Sequence, residues 1–187
     1  MTAPVRRQPL VPNGVLGMLV FVITEAMLFA GMISAFAVVR ASAPLGWPPL
    51  DQPRLPVEST AVNTAFLILS GVLVVLAGSR FQRSPASARA PLGAGIALGA
   101  LFLAAQGREW VALLAQGLTL TSSALGSFFY LIIGCHGLHA VIALGALVWT
   151  FARLVKGTLT LEQFWTVRVL WYFVVGIWPL LYQQVYL

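Results

Sequence analysis

Residues 14–39 read GVLGMLVFVITEAMLFAGMISAFAVV and carry one charged side chain, that of Glu25. As an α-helix this stretch would extend about 39 Å, which exceeds the roughly 30 Å hydrocarbon core of a bilayer. It is also longer than the roughly 7–15 apolar residues at the centre of a signal peptide. The stretch therefore predicts a membrane-spanning helix.

Four further stretches are similarly long and poor in charge. Of the 187 residues, 59% are hydrophobic and 9% are charged, whereas a soluble domain carries about 25% charged residues. The uncharged run 110–152 is too long for one helix, and Gln116-Gly117 to Ser122-Ser123 supply the residues of a turn within it. We predict an all-α integral membrane bundle of five transmembrane helices, at about 14–40, 59–80, 90–115, 124–153 and 164–187. They would form a single domain, 14–187, after a tail of residues 1–13, and this composition excludes a soluble enzyme.

The basic residues predict the orientation of these helices. Eight of them fall on one side of the membrane: Arg6, Arg7, Arg80, Arg83, Arg89, Arg153, Lys156 and Arg168. Two, Arg40 and Arg54, fall on the other side. Since Lys and Arg are enriched in cytoplasmic loops, we predict a cytoplasmic N-terminal tail and an external C-terminus. The net charge of +6 is then a topology signal and predicts no nucleic-acid partner.

Polar side chains at membrane depth are the first candidates for function. Glu25 lies near the middle of the first predicted helix, where a carboxyl group is normally paired, protonated or turned toward a polar cavity. His136 and His139, three residues apart on the fourth helix, would meet Glu25 if these two helices touch. The three residues are consistent with a proton-handling or lipid-related site, or with a structural hydrogen bond between helices.

Haem and metal sites are disfavoured by the small number of suitable side chains. Both histidines lie on one helix, so this chain alone cannot hold a haem between two imidazoles on different helices, and the single cysteine, Cys135, builds no cluster. A metal held by both histidines and Glu25 is geometrically conceivable. We nevertheless predict no metal site, because so few possible ligands are present. We also predict no catalytic residue, because no hydrolase triad, phosphate loop or dinucleotide motif is present.

Arg108, Glu109 and Trp110 end the third predicted helix. One interpretation is structural: Arg108 extends toward the lipid headgroups and Trp110 anchors the helix at the interface. The alternative is a contact of these residues with a partner subunit. Small residues also recur at helix-contact spacing in three helices, as Gly31-x-x-x-Ala35, Gly95-x-x-x-Gly99, and Gly137 with Val141 and Gly145. This spacing predicts close helix packing.

Several of these motifs together resemble subunit III of the haem-copper oxidases. The first helix resembles that family's first shared helix at Gly17-Met18 through Phe21, Glu25, Phe29-Ala30-Gly31 and Arg40. Trp47-Pro48-Pro49, Asn63-Thr64 and Gln106-x-x-Glu109-Trp110 follow in the family's order. The most specific match is Gly126-Ser127-Phe128-Phe129 leading into His136-Gly137-Leu138-His139, and the last helix is similar at Trp171, Phe173-Val174, Trp178, Tyr182 and Tyr186.

The resemblance implies a non-catalytic core subunit of a bacterial terminal oxidase in the inner membrane. Haem and copper would belong to partner subunits I and II, while this chain would bind phospholipid and support proton uptake and the stability of the catalytic subunit. Glu25 matches the family's intramembrane carboxylate, and His136 and His139 match its paired histidines. As an enzyme it would act only as part of a cytochrome c oxidase.

Two departures from the family pattern bear on these expectations. Tyr172 stands where the family has a histidine and Val175 where it has an aspartate, which argues against a polar network through the last helix. Many members also have seven helices where five are predicted here, so a lipid cleft would use helices of a neighbouring subunit. The alternatives are a nitric oxide reductase accessory subunit, subunit III of a quinol oxidase and, more remotely, an independent membrane transporter.

Overall fold

The fold was analysed in a computed structural model that describes residues 12–43, 47–49 and 52–187. In these residues the chain forms five α-helices and no strand: α1 (Asn13–Ala41), α2 (Val57–Arg83), α3 (Arg89–Ala115), α4 (Ala124–Val155) and α5 (Leu161–Tyr186). All five are long and apolar enough to cross a membrane, as predicted. The tail with Arg6 and Arg7 and part of the Pro44–Pro56 loop lie outside the described residues.

Short polar sequences determine where the later helices begin. At the start of α4 the Ser123 hydroxyl accepts a hydrogen bond from the Gly126 N–H at 3.1 Å, which satisfies one of the helix's unpaired donors. At the start of α5, Thr160 and Gln163 form a reciprocal capping box. Gly117 has a φ of +90° in the turn after α3, a conformation that costs a glycine little because it has no Cβ.

Helices α2, α3, α4 and α5 form a closed ring, and α1 lies outside it. The contacts run from α2 to α3, from α3 to α4, from α4 to α5, and from α5 back to α2. Among the described helices, α1 packs only against α4 and α5. Most of its apolar side chains are therefore exposed, including Leu16, Val20, Ile23 and Met27. This arrangement brings the middle of α1, with Glu25, against the middle of α4, with His136 and His139.

Close helix contacts occur at only some of the small-residue motifs. A Cβ on Gly99 would lie 2.8 Å from Cη2 of Trp171, and a Cβ on Gly95 would lie 3.3 Å from the Ser70 carbonyl oxygen. These two glycines let α3 approach α5 and α2, as predicted. For Gly31 and Gly145 the prediction is wrong within this chain, because a Cβ there would meet nothing within 4 Å. Both lie on helix faces that no described helix covers.

Candidate functional site

Glu25 and His139 form a pair between α1 and α4 near the middle of both helices. Oε2 of Glu25 lies 3.1 Å from Nε2 of His139, and the exposed fractions of the two side chains are 17% and 13%. The pair is thus mostly removed from the surface but not enclosed. The contact is a close approach without hydrogen-bond geometry, because Oε2 of Glu25 has no hydrogen-bond partner among the described residues. Opposite charges at this distance would still offset part of the cost of a lone charge at this depth.

The second nitrogen of His139 constrains where protons can lie in the pair. Nδ1 is 2.8 Å from the carbonyl oxygen of Cys135, and because a carbonyl only accepts hydrogen bonds, Nδ1 carries a hydrogen. Nε2 then faces Oε2 of Glu25 at 3.1 Å. A proton on Nε2 would give an ion pair and a proton on the carboxyl a neutral pair, and both arrangements have zero net charge. The pair is therefore a candidate for handling a proton, as the sequence predicts.

His136 occupies a different environment from His139. Its side chain is 1% exposed, and neither ring nitrogen has a hydrogen-bond partner among the described residues. Its ring centroid lies 4.8 Å from that of Trp178 and about 6.5 Å from those of Phe29 and Phe102. The structure thus brings Glu25 together with His139 and leaves His136 within an aromatic cage. Within the described residues, no group of three His, Cys, Asp or Glu side chains could hold a metal ion.

A second polar cluster surrounds Glu109, where α2, α3 and α5 meet. The hydroxyls of Ser59 and Thr60 donate to its two carboxylate oxygens at 2.7 and 2.8 Å, and Nε2 of Gln106 donates at 3.2 Å. Gln106 also donates to the Tyr186 hydroxyl at 2.9 Å. We call these residues, with Asn63, the Glu109 cluster. Hydrogen bonds to an ionised group are stronger than neutral ones, so this cluster stabilises the contact between three helices.

Further hydrogen bonds join α2 to α3 and α2 to α5 at and beside the Glu109 cluster. Nδ2 of Asn63 donates to Oε1 of Gln106 at 3.1 Å, Nε1 of Trp178 donates to the Thr64 hydroxyl at 2.8 Å, and the Tyr182 hydroxyl donates to the Val57 carbonyl at 3.0 Å. In the sequence, Asn63-Thr64 and Gln106 contribute to the family resemblance, but no structural role was predicted for them. The signal was the spacing of polar residues by three and four positions along α2 and α3.

The three residues at the end of α3 have separate environments. Glu109 is satisfied inside the chain, and Trp110 is half-buried, with its ring centroid 6.1 Å from that of Tyr130. Arg108 is exposed. The indole N–H of Trp110 has no hydrogen-bond partner among the described residues. A contact with a partner subunit at Arg108, Glu109 and Trp110 stays a prediction.

The middle of α5 is apolar where the family pattern is polar. The Tyr172 hydroxyl accepts a hydrogen bond from Nε of Arg168, one turn earlier in α5, at 2.8 Å. One turn further on, Val175 packs against α2 so closely that its Cγ1 would lie 2.9 Å from a Cβ on Gly71. A polar side chain in place of Val175 would face this apolar contact with α2.

Nearly the whole chain is similar to a known family of membrane proteins. The family model described as cytochrome c oxidase subunit III matches residues 6–187. Proteins of Nocardia farcinica and Mycobacterium leprae, each named probable cytochrome c oxidase subunit 3, are 32% identical over 94% of this chain and 88% of their own length. Cytochrome c oxidase subunit 3 of Hippopotamus amphibius is 32% identical over 95% of this chain and 71% of its own length. These matches span all five described helices and both polar clusters.

Proposed function

This chain belongs to the cytochrome c oxidase subunit III family, and we propose that it supports proton uptake by the catalytic subunit of a bacterial haem-copper oxidase and stabilises that subunit. As a member of this family it is a multi-pass membrane protein and part of a complex with other oxidase subunits. Haem and copper are then expected in subunits I and II, and electrons would come from cytochrome c.

The observation that carries the proton-related part of this proposal is the Glu25–His139 pair. It places Nε2 of His139 3.1 Å from Oε2 of Glu25 at membrane depth, with Nδ1 of His139 2.8 Å from the Cys135 carbonyl oxygen. Because α1 lies outside the ring of four helices, the pair is reached from the lipid-facing or partner-facing side of the bundle. A group in this position can exchange a proton, or contact a lipid, at the boundary with the catalytic subunit.

The proposed location is the bacterial inner membrane, with the N-terminus in the cytoplasm and the C-terminus outside. Eight basic residues on one side against two on the other support this orientation. The Glu109 cluster would then lie near the external face, and Arg153, Lys156 and Arg168 near the cytoplasmic face. The Glu25–His139 pair would lie between them, near the middle of the membrane.

The names of the relatives favour a cytochrome c oxidase over the other assemblies that the sequence left open. Mass spectrometry of the proteins that co-purify with the tagged chain after mild extraction tests this directly. We expect stoichiometric haem-copper subunits I and II. A nitric oxide reductase pair, or subunits of a quinol oxidase, would contradict the proposal, and purification of the chain alone would favour an independent transporter, which should show uptake in vesicles.

The role of Glu25 is tested by Glu25→Gln, which preserves the size of the side chain but cannot share its proton in the same way. We expect unchanged haem content together with altered proton pumping or altered inactivation during turnover. Glu58→Gln is the matched control, because Glu58 is exposed on the first turn of α2. If Glu25→Gln leaves pumping and inactivation as they are in the wild type and in Glu58→Gln, Glu25 has no part in the mechanism.

A further inference from the structure

One aromatic ring contacts both histidines of α4. The ring centroid of Phe29 lies 5.7 Å from that of His139 and 6.5 Å from that of His136. Phe29 belongs to α1, one turn after Glu25, and its side chain is completely buried. Neither ring nitrogen of His136 has a hydrogen-bond partner among the described residues, so no hydrogen bond connects His136 to the Glu25–His139 pair.

Two further rings cover His136 on the side of the polar residues of α2. Its ring centroid lies 4.8 Å from that of Trp178 and 6.4 Å from that of Phe102. Nε1 of Trp178 donates to the Thr64 hydroxyl at 2.8 Å, and the Phe102 carbonyl accepts a hydrogen bond from Nδ2 of Asn63 at 3.2 Å. The polar side chains of α2 therefore bond to these two aromatic residues and not to His136 itself.

Water has a route to the outer side of this arrangement. A cleft of about 550 Å³ opens between the N-terminal end of α2 and the C-terminal end of α3, and Ser59, Asn63 and Glu109 contribute to its lining. The polar groups of the Glu109 cluster thus extend from the cleft to the residues that cover His136. Only the aromatic rings around His136 separate this cluster from the Glu25–His139 pair.

The surroundings of His136 oppose the passage of a proton. An imidazolium there would be costly, because the aromatic rings offer no hydrogen bonds to its charge. Water could carry the proton past the rings, but it enters an interior space only if there is room and if polar partners are available. His136 offers two such partners in its ring nitrogens, so the rings that fill the space keep this layer dry.

We propose that Phe29 is a positioning residue which, with Phe102 and Trp178, forms an aromatic barrier between the Glu25–His139 pair and the Glu109 cluster. The barrier confines proton exchange by the pair to the face of the bundle beside α1. In the proposed orientation the Glu109 cluster lies near the external face, so the barrier also prevents protons from returning through this chain. This inference rests on the proposed function for the direction in which protons move.

The experiment measures passive proton flow through the whole assembly, reconstituted in vesicles with the oxidase inhibited. Phe29→Ala combined with Phe102→Ala opens space for water beside His136. Phe36→Ala combined with Phe102→Ala is the matched control, because Phe36 is also a buried residue of α1 but its ring contacts that of Phe128. We expect the first double variant to lose an imposed pH gradient more than about tenfold faster than the wild type and the control, because hydration lowers the cost of a buried charge.

Three companion variants make the test specific. Phe29→Leu combined with Phe102→Leu fills the space with apolar side chains, so the gradient should be held. Adding His136→Leu to the double alanine variant removes the polar partner that water needs, so the leak should fall toward the wild-type rate. If the double alanine variant does not assemble, Phe29→Tyr combined with Phe102→Tyr replaces it. Each tyrosine keeps the ring and adds a hydroxyl that can donate and accept hydrogen bonds, so this variant should also leak.

Three outcomes would overturn the proposal. The first is a gradient held as in the wild type by the assembled alanine or tyrosine variant. The second is an equal leak in the Phe36 control, since general damage to the packing would then explain the flow. The third is a leak that persists unchanged after His136→Leu. If no oxidase subunit purifies with the chain, the proposed function fails, while vesicles that contain the chain alone still decide whether the aromatic barrier exists.

Discussion

Replacing Glu109 with alanine should destabilise the bundle, because it removes the acceptor on which three side chains converge. The loss is smaller than three hydrogen bonds, since the hydroxyls of Ser59 and Thr60 also lie 3.3 and 2.8 Å from the Pro56 carbonyl oxygen and can donate there instead. Gln106 is 5% exposed, and its Nε2 keeps only the bond to Tyr186, so one buried N–H donor is left without a partner. One hydrogen bond to a charged group contributes about 1.5–3 kcal/mol, so we expect a loss of about 2 kcal/mol.

Cys135 supplies a readout specific to this chain. It is the chain's one cysteine and lies half-buried at the middle of α4. The purified assembly would be treated with a thiol-reactive fluorophore, and labelling would be measured in the band of this chain after electrophoresis. If labelling requires the bundle to open, a loss of about 2 kcal/mol increases the open population, and with it the labelling rate, about thirtyfold.

Two companion variants make this prediction specific. Glu58→Ala removes an exposed carboxylate from the same neighbourhood and should label at the wild-type rate. Glu109→Gln keeps one carbonyl acceptor without the charge, so its rate should fall between those of the wild type and Glu109→Ala. Equal labelling of Glu109→Ala and Glu58→Ala would refute the view that the Glu109 cluster stabilises the contact of α2, α3 and α5.

Two other positions give sharp expectations. Gly99→Leu places a side chain against Trp171, where a Cβ alone would come within 2.8 Å, and overpacking of this kind costs about 1–3 kcal/mol. Labelling of Cys135 should therefore accelerate in Gly99→Leu and stay unchanged in Gly145→Leu. Equal labelling of the two variants would contradict the close packing of α3 against α5 at Gly99. Arg40→Gln removes hydrogen bonds of 3.4 and 3.3 Å to the carbonyls at the end of α5, worth about 1 kcal/mol in total. Amide exchange in the last turn of α5 should therefore accelerate about fivefold, with the first turn of α5 as the internal control, and unchanged exchange would show that Arg40 does not hold this end.

The number of helices could be predicted from the sequence because charge marks the limits of the hydrocarbon core. The same criterion misplaces the helix ends. It started the second and fifth helices at residues 59 and 164, after the charged Glu58 and Glu162, whereas α2 begins at Val57 and α5 at Leu161. Backbone hydrogen bonds and the Thr160–Gln163 capping box extend a helix beyond the apolar run, into the zone where charged side chains are well solvated. Hydropathy indicates which residues cross the hydrocarbon core, while hydrogen bonds at the helix ends determine where each helix begins.

The order of helices in space could not be predicted, and that order separates the two histidines. At three residues apart, their side chains point about 60° apart around α4. Only the position of α1 decides which one meets Glu25, and α1 packs on the side of His139. The partners of Glu109 depend similarly on the vertical register of α2 against α3, which local spacing does not contain. The sequence could identify which polar groups need partners, but not which partners they find.

The two membrane carboxylates differ in how firmly the protein holds them, and this difference bears on function. Glu109 accepts bonds from three side chains on two helices, so its position is fixed by the contact between those helices. Glu25 has a single described partner, His139, and lies on the helix with the fewest neighbours. A structural role therefore suits Glu109. The proton-exchanging role that we propose belongs to Glu25, which lies at the face of the bundle that the described helices leave open to lipid or to a partner subunit.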